Sequence, residues 1–129
     1  MTDLARRRNI ANASSGYPEQ TLVVAYALIH DDGKPHVVLS RLRDHAEAEG
    51  WGVYAEFFDF GDMTSSRASR HSWPKAERLL QDRDVTGLVA RCEDEIAFYP
   101  KGKESLQKWL HSLPAFAKFI GEPPSGVVR

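Results

Sequence analysis

Residue types able to do chemistry gather at His30-Asp31-Asp32, at Asp59 and Asp62, and at Glu93-Asp94-Glu95. A neutral imidazole beside carboxylates is the donor set of a divalent-cation site or of a histidine-carboxylate base, so His30, Asp31, Asp59, Asp62 and Asp94 form one possible ligand site. The competing role is structural: loop aspartates form turns and caps, and a histidine closing a strand is commonly a hydrogen-bonded framework residue. His30, His36, His45, His71 and His111 are scattered and match no zinc spacing. Neither a phosphate-binding glycine loop nor a dinucleotide fingerprint occurs, so no metal and no cofactor is expected. Ser65-Ser66 has no sequence-linked base and reads as loop. Arg6-Arg7-Arg8 is either a nucleic-acid contact or a solvated arm.

Positioning these residues requires alternating strands and helices. Thr21–Ile29 is an unbroken apolar run of strand length, suited to a central parallel strand covered on both faces. Beyond the turn Asp31-Asp32-Gly33-Lys34-Pro35, Val37, Val38, Leu42, His45 and Ala46 recur at helical spacing until Gly50 stops the element. Trp51–Phe60 is aromatic and β-branched, a second strand whose Trp51, Tyr54, Phe57, Phe58 and Phe60 are expected in the core, because Glu56, Asp59 and Asp62 make it too acidic for a base-stacking platform. After a polar loop from Gly61 to His71, Ser72 and Pro74 open a second helix with Ala76, Leu79 and Leu80 inward.

Val85–Cys92 is the expected third strand, and its lone Cys92 is expected as a buried thiol in a reducing compartment. A loop containing Pro100 and Gly102 precedes a third helix, Ser105–Leu113, with Leu106, Trp109, Leu110 and Leu113 inward until Pro114 ends it. This pattern predicts an α/β fold of three layers, a short, mostly parallel sheet of order 2-1-3 with helices on both faces. The outer edge of the third strand needs a cover. The N-terminal arm, the segment 115–120 and a second subunit are the candidates, and the second subunit is preferred.

With 129 residues, 42% hydrophobic and 27% charged, the chain fits one domain able to bury a core without disulfide or metal. It divides into a polar, flexible N-terminal arm (1–20), an α/β body (21–120) and a C-terminal tail (121–129). A net charge of -1 argues against a whole-surface grip on nucleic acid. No apolar run reaches bilayer length and the first residues lack the order of a signal peptide, so a cytoplasmic protein with no membrane contact is expected.

In open α/β sheets ligands collect beyond the carboxyl ends of the strands, and there the chain resembles the catalytic domain of serine recombinases, the resolvase/invertase family. That family ends its first strand in Tyr-x-Arg-x-Ser, leads its second strand into an acidic Gly- and Ser-containing loop, and follows it with an Arg-Pro-x-Leu-x-x-Leu-Leu-like helix. Here the counterparts are Tyr26-Ala27-Leu28-Ile29-His30, then Asp59 ahead of Ser65-Ser66, then Trp73-Pro74-Lys75-Ala76-Glu77-Arg78-Leu79-Leu80. The resemblance implies a resolvase-like fold, and the departures fall on chemistry. The nucleophile position is His30, the arginine positions are Leu28, Trp73, Glu95 and Phe98, and the family's Asp survives as Asp94. A hydroxyl nucleophile and the cations that hold an anionic phosphorus centre are both missing, so no recombinase activity is expected.

Three functions remain open. The first is a non-catalytic interaction or regulatory module, self-associating as a homodimer or pairing with a protein partner. The second is a repurposed small enzyme or ligand-binding domain built on His30 and nearby carboxylates, and the third a DNA-associated regulator using Arg6, Arg7 and Arg8. A gene fragment without retained function is also compatible with the sequence.

Overall fold

A computed structural model describes residues 20–29 and 33–121. Its elements are β1 (Leu22–Ile29), α1 (Pro35–Ala48), β2 (Gly52–Phe60), a 3₁₀ turn (Arg67–Ser69), α2 (Trp73–Gln81), β3 (Gly87–Ala90), a second 3₁₀ turn (Glu93–Glu95), α3 (Pro100–Ser112) and β4 (Phe116–Phe119). All strand pairs are parallel, in the order β2-β1-β3-β4.

The apolar run of β1 becomes the centre of the sheet because it can be dry on both faces: every residue from Val23 to Ile29 is fully buried. Alternation sends Val24, Tyr26 and Leu28 toward Trp73, Ala76 and Leu80 of α2 and Leu106 and Leu110 of α3. Val23, Ala25, Ala27 and Ile29 pack instead on Val38, Leu39, Leu42 and Ala46 of α1. One helix therefore covers one face and two cover the other.

Glycine at position 50 ends α1 as expected, with φ +86. Gly50 N–H reaches Glu47 O at 3.0 Å and Trp51 N–H reaches Ala46 O at 3.0 Å, the paired bonds of a Schellman cap. Val37, expected inward, is 40% exposed, and Leu39 takes its place in the core.

The edge of β3 is covered by the chain's own segment 115–120, which supplies β4, and not by the preferred second subunit. Pro114 ends α3, and Phe116–Phe119 then runs in register with Gly87–Ala90. The close approach depends on Gly87, since a Cβ there would stand within 2.5 Å of Phe116 ring atoms. Phe116 in turn lies 5.0 Å from the Trp51 ring.

Other boundaries moved for local reasons. β3, Gly87–Ala90, is shorter than the expected 85–92 at both ends, and beyond it the Arg91 carbonyl accepts a backbone bond from Gly121 N–H at 3.0 Å. α3 begins at Pro100, not Ser105, since proline at the first helical position has no N–H to lose. Trp109 is half-buried at the rim of the core, so Leu106 and Leu110, more than Trp109, close it. The aromatics of β2 are not fully buried as expected, because among the described residues β2 pairs with β1 alone. Phe58 and Phe60 are 37% and 67% exposed and meet edge-to-face at 5.4 Å. Among the described residues no helix is long and apolar enough to cross a membrane.

Candidate functional site

At the carboxyl ends of β1 and β2 lies a buried polar network that sequence spacing does not reveal. Asp59, near the end of β2, is 6% exposed, and its Oδ2 accepts the Tyr26 hydroxyl at 2.8 Å. The same carboxylate accepts Ser72 N–H at 2.7 Å and Trp73 N–H at 2.9 Å. It thereby caps α2 from across the sheet. Ser72, the expected local cap, makes no side-chain cap bond. Trp73, at the head of α2, is fully buried and meets the Tyr26 ring edge-on at 5.1 Å.

Arg70 completes the network from the loop before α2. Its guanidinium, 8% exposed, donates Nε–H to Ser65 Oγ at 3.2 Å, Nη2–H to Ser65 O at 3.1 Å and Nη1–H to the Tyr26 hydroxyl oxygen at 3.3 Å, with a further Nη1 bond to Glu95 O. A guanidinium carries five N–H donors, so this cation is largely consumed internally. Burial pushes the Tyr26 phenol well above the ordinary tyrosine range, with Arg70 opposing and Asp59 reinforcing the shift.

Beyond the β3 ladder, β1 is held by side chains. Glu95 Oε1 accepts Leu28 N–H at 3.1 Å, while Arg91 Nη2–H donates to Leu28 O at 2.8 Å. Arg91 Nε and Glu95 Oε2 stand 2.7 Å apart, both side chains buried. Their alignment is poor for a hydrogen bond, so the contact acts as an ion pair. Two residues of opposite charge thus continue the sheet where the β3 backbone has turned away.

The expected ligand site is not assembled by the described residues. His30 and Asp31 lie outside them, as do Arg6, Arg7 and Arg8. Asp59 is spent on Tyr26 and α2. Asp62 folds its own loop, accepting Thr64 N–H at 2.8 Å and Thr64 Oγ1–H at 2.9 Å. Asp94 pairs with Lys103 Nζ at 2.6 Å. Among the described residues no group of three or more His, Cys, Asp or Glu side chains is arranged to hold a metal ion.

Ser65 Oγ–H donates to Asp62 O at 2.6 Å while its oxygen receives Arg70, so among the described residues no base activates it. Cys92 is half-buried instead of fully buried, and burial raises its thiol pKa, which disfavours the reactive thiolate. Of the degenerate family positions, Leu28, Trp73 and Glu95 are buried, while Phe98 is exposed. Arg70 and Arg91 are the functional-looking residues that spacing missed, because a buried arginine has no periodic signature. An open groove of about 560 Å³ runs beside the network, lined by Glu56, Phe57, Phe60, Ser65, Arg70 and His71 among others.

No protein-family model matches the chain, and no curated protein matches it. Among solved structures it is similar to the C-terminal catalytic domain of ISC1926 TnpA, an IS607-like serine recombinase, at 18% identity and TM-score 0.69, covering 81% of this chain and 71% of that one. It is similar to the N-terminal catalytic domain of TP901-1 integrase at 15% identity and TM-score 0.68, covering 78% of this chain and 77% of that one. A third likeness, at 14% identity and TM-score 0.62, is to the first ORF in transposon ISC1904 from Sulfolobus solfataricus P2, covering 81% of this chain and 71% of that one. At such identities the likeness establishes the fold, that of a serine recombinase catalytic domain.

Proposed function

We propose that this chain, carrying the fold of a serine recombinase catalytic domain, is a non-catalytic, self-associating interaction or regulatory module. One observation carries the proposal: Arg70 and Arg91, the two arginines bonded to β1 residues near the carboxyl end of the sheet, are turned inward and bonded to the protein itself. Phosphoryl transfer needs cations facing the substrate, because charge develops on the phosphate oxygens in the transition state. Here the positions matching the family's arginines are Leu28, Trp73, Glu95 and Phe98, which are apolar or acidic.

Self-association is supported by the outer edge of β2. That edge has no partner strand among the described residues and presents Phe58 and Phe60 to solvent. The decisive experiment incubates the full chain with supercoiled plasmid and looks for nicking, double-strand cleavage or a protein–DNA adduct resistant to denaturant, with light scattering on the same sample. Uncleaved DNA together with a dimer supports the proposal. A covalent adduct refutes it, and a complex with DNA that survives moderate salt favours a DNA-associated regulator using Arg6, Arg7 and Arg8. The small-enzyme alternative requires His30→Ala to abolish an activity while leaving the fold intact.

A further inference from the structure

Between the loop that follows β2 and the start of α3 lies a second cleft, of about 510 Å³, with Glu77 of α2 on its wall. Its volume is that of a small-molecule site, on the order of 300–1,000 Å³. Arg67 faces it. This guanidinium is half-buried, and among the described residues it makes no hydrogen bond and no ion pair; Glu77 answers its charge at longer range. Loss of water lowers its pKa, the charge of Glu77 opposes that shift and the like charge of Arg70 adds to it, so an anion placed here would offset the repulsion from Arg70.

Part of the lining is aromatic. Phe98 and Tyr99 line the cleft and are 38% and 57% exposed. Their rings meet edge-to-face at 5.2 Å, and Ile96 and Ala97 behind them are buried. Thr64, whose hydroxyl is bonded to Asp62, and Ser66 also line the cleft. Gly102 borders it as well, where a Cβ would stand 3.8 Å from Arg67 Nη1, at ordinary contact distance.

We propose that this cleft binds a single nucleoside monophosphate, with its phosphate on Arg67, its base against Phe98 and Tyr99, and an exocyclic amine directed at Glu77. A planar guanidinium matches phosphate with two parallel N–H bonds, and an aromatic wall takes any base face. A nucleic-acid strand is disfavoured, because one cation beside a carboxylate cannot track successive phosphates. The proposal is independent of the interaction-module function, since neither the β2 edge nor the buried network contributes its ligand contacts.

The test is calorimetry and amide NMR titration of the full chain with adenosine monophosphate, adenosine, inorganic phosphate and a short single-stranded oligonucleotide. Adenosine monophosphate should bind with sub-millimolar affinity and shift amides of residues 64–68 and 98–102. Arg67→Gln should weaken it about tenfold or more without changing the weaker binding of adenosine, whereas Tyr99→Ala should weaken both. Should Arg67→Gln fail to fold, Gly102→Glu sets a carboxylate beside the guanidinium and should abolish binding while circular dichroism stays native. Failure to saturate at millimolar ligand, affinity indifferent to Arg67→Gln, phosphate binding as tightly as the nucleotide, or an oligonucleotide binding more tightly than the mononucleotide would each overturn the proposal.

Discussion

Replacing Asp59 by alanine tests whether the buried network is a structural lock or a vacant binding site. The carboxylate receives Ser72 N–H, Trp73 N–H and the Tyr26 hydroxyl at 2.7, 2.9 and 2.8 Å. Ser72 N–H is half-buried and water can replace its partner. Trp73 N–H and the Tyr26 hydroxyl are enclosed, and each unsatisfied group costs about 1–3 kcal/mol. Together with the lost α2 cap, Asp59→Ala should cost about 3–5 kcal/mol, a large share of a typical 5–15 kcal/mol stability. In urea, with a slope near 2 kcal/mol/M, the midpoint should fall by about 2 M. Asp59→Asn, which keeps one acceptor oxygen, should lose roughly half as much. Tyr26→Phe should cost about 1 kcal/mol, and the double variant should be non-additive by about the same amount, because the two residues share a bond. The sign is decisive: a carboxylate retained for a ligand strains the empty protein, and its removal stabilises. An Asp59→Ala protein as stable as the parent, or additive with Tyr26→Phe, would refute the lock.

Gly87→Ala should cost about 1–3 kcal/mol by driving a Cβ into the Phe116 ring, and Phe116→Leu should recover part of that loss in thermal melts. Because burial raises the Tyr26 pKa, the folded protein keeps this phenol protonated at a pH where the unfolded chain ionises. Stability should therefore be intact below about pH 10 and fall as the pH rises above it. Tyrosinate absorbance of the native protein should be the same for Tyr26→Phe as for the parent until alkaline unfolding begins. Arg83 holds φ 64, a left-handed conformation costly for a side-chain-bearing residue, in the turn that closes α2. Arg83→Gly should raise stability by up to about 1 kcal/mol, read as a higher urea midpoint with unchanged slope.

Much of the architecture was legible because it follows from local and periodic signals. The unbroken apolar run of β1 requires cover on both faces, whatever provides it. Gly50 announces the end of α1 because few other residues accept its φ, and the change from helical to alternating spacing at Trp51 announces β2. The resemblance carried by Tyr26, the Asp59 loop and the Trp73-Pro74 helix points to the fold that this chain shares with the solved serine recombinase catalytic domains. Tertiary structure decided the rest, where an energy depends on which groups meet in space. Phe116–Phe119 is too short to declare itself a strand, and becomes one because β3 offers an unpaired edge and Gly87 leaves room for a ring. Asp59 reads as a surface-loop acid until folding sets it beneath the first N–H groups of α2. Arg70 and Arg91 are ordinary polar residues along the chain, and burial obliges each to find partners from distant segments. Spacing could nominate chemistry at the strand ends, but the geometry of the folded chain determines which charges are committed inward and that Arg67 faces an open cleft.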